Sequence, residues 1–111
     1  MKKKILVTGG AGFVGSNLIE YILIKEKKIK LISIDNYSSG SKKNHIKNSR
    51  VAYINADTKN ISKILNKKKN RIKALFHFGE FARIYQSFKK FEKCFESNTI
   101  GSKAVFKFCL D

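Results

Sequence analysis

The chain is poor in cysteine, acidic residues, arginine and long apolar runs, and it has neither proline nor tryptophan. Its two cysteines, Cys94 and Cys109, fall in a stretch that reads as one helix. At 1.5 Å rise per residue they stand about 22 Å apart, too far to bridge within that helix. No Cys/His spacing suits zinc, so no metal site is expected. Reduced thiols in a cytoplasmic protein are the simplest account. No stretch approaches the ~20 apolar residues of a membrane span. The start, Met1-Lys2-Lys3-Lys4-Ile5-Leu6-Val7, has the charge of a secretory leader. Its apolar run stops at Thr8-Gly9-Gly10, short of the about 7–15 residues such a leader needs. A buried first strand is the better reading.

Only 8 acidic residues face 24 basic ones, a net charge of +16 over 111 residues. Such an excess raises nucleic acid as a partner. The lysines fall in short clusters at 2–4, 25–28, 42–43, 67–69 and 89–90, mostly at element ends or in turns. Only Arg50, Arg71 and Arg83 could form bidentate forks. No nucleic-acid motif accompanies them, so the charge predicts weak, salt-sensitive adhesion to polyanions and no specific nucleic-acid binding.

What is present is a glycine turn, Thr8-Gly9-Gly10-Ala11-Gly12-Phe13-Val14-Gly15. It lies between the apolar run Ile5-Leu6-Val7 and a helix-like run beginning near Val14. Strand, glycine turn and helix in that order cradle a dinucleotide phosphate. Gly9 and Gly12 permit a tight turn and close backbone approach to a pyrophosphate. The first helical N–H groups and the helix dipole bind the anion. Gly15 removes a side chain where helix and strand must touch. Some 20 residues on, Asp35 ends the run Leu31-Ile32-Ser33-Ile34. A carboxylate there accepts bonds from both ribose hydroxyls and repels a 2′-phosphate, favouring NAD over NADP. The plain alternative is a strand–turn–helix with a capping Asp.

Along the chain, Ile5–Thr8 predicts a short buried strand, and Phe13 to about Lys27 a helix with Val14, Leu18 and Ile22 on its apolar face. Strands are expected at Leu31–Asp35, Val51–Asn55 and Ala74–Phe78. Asn36 to Arg50 reads as a loop with a helical turn around 42–47. Ile61, Ile64 and Leu65 fit one side of a short helix. Glu92 to Leu110 reads as a final helix with Phe95, Thr99, Ala104–Phe106 and Cys109 inward. This alternation predicts an α/β fold, a Rossmann-like parallel sheet of order 3-2-1-4 flanked by helices. There is no internal repeat, linker or low-complexity tail.

The motifs together resemble the N-terminal part of the extended short-chain dehydrogenase/reductase superfamily. Within it the chain is most similar to the NAD-dependent epimerase/dehydratase family of nucleotide-sugar enzymes, and to its UDP-glucose 4-epimerase-like members. The resemblance spans essentially the whole chain. It rests on the glycine turn, Asp35-Asn36-Tyr37-Ser38-Ser39-Gly40, Asp57, His77-Phe78-Gly79 and Asn98-Thr99-Ile100-Gly101. It implies NAD as cofactor, with Gly9, Gly12, Phe13 and Val14 around the pyrophosphate. Asp35 would hold the adenosine ribose, with Asn36, Ser39 and Gly40 lining the same pocket. Asp57 would meet the adenine amine. Phe78, Gly79 and Glu80 would run beside the pyrophosphate and nicotinamide ribose, and Asn98 would lie near the cofactor. Taken alone, Asp57 is more often a turn residue, and Asn98 is equally a polar residue satisfied within a helix contact. Glu80 should point away from the phosphates. Ser87 falls where such enzymes approach substrate. His77 suits packing better than catalysis, and His45 has no visible acid–base partner.

The resemblance also implies a nucleotide-sugar substrate and a homodimer for the full-length enzyme. The family's reaction is run by a Ser/Thr and a Tyr-x-x-x-Lys beyond strand four, where the lysine lowers the tyrosine's pKa. Tyr21 with Lys25 and Tyr85 with Lys89 match that spacing, and neither lies in the right place. No catalytic residue is therefore assigned. The chain is expected to be the N-terminal part of an NAD-binding domain, incomplete beside the full family fold and without turnover alone. An open edge at strand four is expected to favour self-association. A non-catalytic NAD(P)-sensing or scaffold protein is the other reading, since fold does not dictate function.

Overall fold

A computed structural model describes residues 4–65, 71–79 and 89–110. Strand β1 spans Lys4–Thr8, β2 Lys30–Asp35, β3 Val51–Asn55 and β4 Ile72–His77. All pair in parallel, in the order β3-β2-β1-β4. Helix α1 (Phe13–Lys25) follows β1, and α2 (Ile61–Ile64) follows β3 after a 3-10 turn at Thr58–Asn60. After β4 come α3 (Phe91–Phe95), a π-helical segment (Glu96–Gly101) and α4 (Ser102–Leu110). Helices cover both faces of the sheet, so β1 and β2 are buried on both sides and read as continuous apolar runs.

Successive side chains of a strand point to opposite faces, and the core divides accordingly. Ile5, Val7 and Leu31 pack with Ile19, Ile22 and Leu23 of α1. Leu6, Ile32 and Ile34 pack with Ile61, Leu65, Val105 and Phe108 on the other face. Among the described residues, β4 is a sheet edge. No helix there is long and apolar enough to cross a membrane.

Three details depart from the sequence reading. Helix α1 stops at Lys25 rather than near Lys27. Arg50 closes that end, donating to the carbonyls of Leu23 (2.6 Å), Glu26 (2.5 Å) and Ile29 (3.3 Å). A cation on the last carbonyls suits the negative end of the helix dipole. Strand β4 begins at Ile72 and ends at His77, although Phe78 still donates its N–H to the Thr8 carbonyl (3.0 Å). The third concerns the final helix, where Phe95, Phe106 and Cys109 are not inward. These three and Thr99 are exposed, whereas Val105 is buried and Ala104 half-buried as expected, and Ser102 and Phe108 are buried beside them. The π segment inserts an extra residue, which turns the following face by roughly 100°. Cys94 and Cys109 are both free, as their separation requires.

Ser33 is buried on the α1 face, and its Oγ has no hydrogen-bond partner among the described residues. Gly10 makes room for it: a Cβ on Gly10 would lie 2.0 Å from that oxygen. A buried hydroxyl without a partner carries an uncompensated desolvation cost. Ser33→Ala is therefore expected to leave the urea midpoint unchanged or to stabilise by about 1 kcal/mol. A loss of that size would give the hydroxyl a role that the packing does not.

Candidate functional site

A cleft of about 1220 Å³ opens at the C-terminal ends of the strands. That is where parallel α/β sheets bind ligands, because helix N-termini and loops converge there. Gly9, Gly12, Phe13 and Val14 form its floor. Gly9 has φ 73°, a left-handed conformation that glycine adopts without strain. A Cβ on Gly9 would also lie 2.7 Å from the Phe78 carbonyl carbon and oxygen, so the turn and the end of β4 touch backbone to backbone. Gly12 caps α1 without a side chain, and the first α1 N–H to reach a carbonyl of the helix is that of Ser16, bonded to Gly12 (3.0 Å). The N–H groups of the first turn are thus left to the cleft, with no acidic side chain in that turn to compete.

Asp35 lines the cleft beside them. It is buried, and its carboxylate holds two loops. Oδ2 accepts from the Ala11 N–H (3.0 Å) and Oδ1 from the Tyr37 N–H (2.8 Å). Each oxygen keeps a further lone pair. The Ala11 carbonyl in turn accepts from Ser41 N–H (3.0 Å) and Asn44 Nδ2 (2.8 Å). Gly40 allows this contact, since a Cβ there would lie 2.8 Å from Asp35 Oδ2 and 3.0 Å from the Ala11 carbonyl. Asn36, Ser39 and Gly40 all line the cleft, as does Asp57 beyond β3.

Tyr37 takes φ 61°, unusual for a residue with a Cβ. Its hydroxyl lies 2.6 Å from His45 Nε2, and the His45 ring stacks on Tyr53 at 3.8 Å. His45 therefore has two tyrosine partners that the sequence did not reveal. Burial, then the Asp35 carboxylate and Tyr53, push the Tyr37 phenol above its ordinary pKa. This cluster anchors the loop that ends in the 3-10 turn Lys42–Asn44.

On the β4 side, Phe78 and Gly79 line the cleft. Buried Thr8 receives the Gly79 N–H on Oγ1 (3.0 Å), and the same oxygen lies 2.5 Å from His77 Nδ1. His77 Nε2 lies 3.0 Å from Ser102 Oγ. His77 thus joins β1, β4 and α4 by hydrogen bonds, in keeping with a packing role.

Asn98 lies in the π segment beside the cleft. It does not line the cleft, and its amide lies 3.6 Å from Cys94 Sγ. Its neighbours Glu96, Ser97 and Gly101 in the π segment do line it. Glu80, Ser87 and Tyr85 lie outside the described residues. Tyr21 and Lys25 lie along α1 with the ammonium 5.8 Å from the ring centroid, and neither lines the cleft.

Sequence reading missed Thr58, Lys59 and Lys93 in the lining. Thr58 is packed between two glycines: a Cβ on Gly101 would lie 2.4 Å from its Oγ1, and one on Gly79 3.0 Å from its Cγ2. Lys59 pairs with Glu96 across the cleft, and that carboxylate raises its pKa. Gly101 was visible as part of the Asn98-Thr99-Ile100-Gly101 segment, but its partner Thr58 had no signal.

The sequence pattern of the NAD dependent epimerase/dehydratase family matches residues 5–111. The dTDP-D-glucose 4,6-dehydratase of Dictyostelium discoideum is 31% identical over 114 residues, covering 96% of this chain and 26% of that protein. Among solved structures, the UDP-glucose 4-epimerase of Thermotoga maritima with UDP-glucose superposes with a TM-score of 0.80 at 28% identity, over 94% of this chain and 33% of that one. The UDP-glucose 4-epimerase of Thermus thermophilus in complex with NAD gives 0.80 at 26% identity, over 96% and 33%. The chain thus spans about a third or less of the length of these relatives.

Proposed function

Because the chain belongs to the NAD dependent epimerase/dehydratase family, we propose that it forms the NAD-binding part of a nucleotide-sugar epimerase or dehydratase. The observation that carries this reading is one cleft holding the glycine turn, the uncapped N-terminus of α1 and a carboxylate with lone pairs to spare. The turn keeps this shape only with glycine at position 9, where a Cβ would collide with the Phe78 and Gly79 backbone. These groups match a pyrophosphate and a ribose diol.

In this reading the N–H groups of Phe13 and Val14, with Gly9 and Gly12, hold the pyrophosphate. Asp35 accepts from the ribose hydroxyls, beside Asn36, Ser39 and Gly40. Asp57 accepts from the adenine amine. Phe78 and Gly79 border the nicotinamide half, and the family resemblance adds Glu80 and Asn98 there. Bound NAD+ supplies reversible hydride acceptance from a sugar carbon; the protein supplies position and electrostatics. The whole enzyme would take a nucleotide sugar and pair as a homodimer. Exposed Phe91, Phe95, Phe106 and Leu110 on the last helices support such pairing.

Calorimetric titration of the chain with NAD+ and NADP+ tests the proposal. NAD+ is expected to bind and NADP+ to bind more weakly, because Asp35 would oppose a 2′-phosphate. A chain that binds neither removes the reading.

A further inference from the structure

The proposed adenine end of the cleft contains a hydrogen bond that the ribose and phosphate groups do not require. Asn36 Nδ2 donates to Asp57 Oδ1 at 2.7 Å. Both residues line the cleft. They stand side by side because β2 and β3 are parallel neighbours whose last pair is Asp35 with Asn55. Asp57 stands at the N-cap position just before the Thr58–Asn60 turn, yet its side chain makes no capping bond there. Its carboxylate is therefore directed by Asn36 rather than by the local turn.

Asn36 is itself held at its other end. Its Oδ1 accepts from the Ser38 N–H at 3.0 Å. A backbone N–H can be answered only by an acceptor, so the amide oxygen faces Ser38 and the amide nitrogen must face Asp57. The side chain cannot flip without losing both bonds. One oxygen of Asp57 is occupied, and the other remains an acceptor in the cleft.

From this arrangement we infer that Asn36 is a positioning residue for base recognition: it fixes the Asp57 carboxylate so that the cleft selects a purine with an exocyclic amine over one with a carbonyl at that position. The inference rests on the NAD reading above. An amine donates to the free carboxylate oxygen. A carbonyl oxygen in the same place meets another acceptor and loses its hydration without return. Without Asn36 the carboxylate can rotate toward water, and the two bases become more nearly equal.

The test compares NAD+ with nicotinamide hypoxanthine dinucleotide on the chain and on Asn36→Ala, Asn36→Ser, Asp57→Ala and the Asn36→Ala/Asp57→Ala double variant. The wild-type chain is expected to favour NAD+ by about tenfold or more, the worth of one charge-assisted bond. Asn36→Ala should cut that ratio severalfold, with NAD+ losing more affinity than the hypoxanthine dinucleotide, and the melting midpoint should hold nearly unchanged because Asn36 is exposed. Asn36→Ser keeps an oxygen for the Ser38 N–H but cannot reach Asp57, so it should lose the ratio equally. In the Asp57→Ala background, Asn36→Ala should change nothing further. Equal weakening of both dinucleotides, or an unchanged ratio in the Asn36 variants, overturns the inference and leaves the NAD site standing. Failure of the wild-type chain to bind NAD+ overturns both.

Discussion

Gly15→Ala is expected to lower stability by about 3 kcal/mol or more, at the upper end of overpacking costs, and to abolish dinucleotide binding. An added Cβ would lie 2.2 Å from the Gly9 carbonyl oxygen and 2.9 Å from the Gly10 Cα. Both atoms are backbone, so no side chain can rotate away. The glycine turn would have to separate from α1, carrying Gly9 off the end of β4. Small domains have only about 5–15 kcal/mol in total, so the loss is a large fraction. Gly12→Ala is the control. Its Cβ would meet only the Gly9 carbonyl oxygen, at 3.3 Å, and the fold should survive. Urea denaturation of both variants checks this, and equal midpoints for Gly15→Ala and the wild type would sink it.

Asp35→Ala is expected to fail twice. It leaves the Ala11 and Tyr37 N–H groups without their acceptor. Bonds to a charged group are worth about 1.5–3 kcal/mol each, so a loss of roughly 3 kcal/mol is expected. It also removes the acceptor proposed for the ribose, and NAD+ affinity should fall by about a hundredfold or more. Asp35→Asn should do little better, because its amide NH2 would face one of the same two donors. Denaturation and calorimetry on the two variants separate the effects. Wild-type affinity in Asp35→Ala would remove the carboxylate from the ribose role.

The strands and the cleft floor were legible because their signals are local. The alternation of Ile5 and Val7 against Leu6 assigns the two faces of β1 directly. The glycine spacing and Asp35 place the turn and its carboxylate within one β–α–β stretch. What stayed hidden depends on residues distant in sequence. Arg50 read as the end of a polar loop, but it closes α1 by reaching Leu23 and Glu26. Thr58 carried no motif, yet it sets the approach of Gly79 and Gly101. The inward face of the last helix was misread at Phe106 because a π turn has no clear sequence signature, and one extra residue rotates everything after it. The same turn carries Asn98, whose amide reaches Cys94 Sγ, and Ser97, which lines the cleft.

Ala11 is bonded on both sides of its peptide: its N–H to Asp35, its carbonyl to Ser41 and Asn44. The glycine-rich turn is thereby tied to the loop after β2, and the two form one preorganised unit. An incoming dinucleotide meets donors that are already aimed. Little conformational entropy remains to be surrendered there, so the contact energy appears as affinity instead of being consumed in ordering the turn. The flexibility that glycine brings to this segment is spent on shape, and the tethers at Ala11 take back the motion.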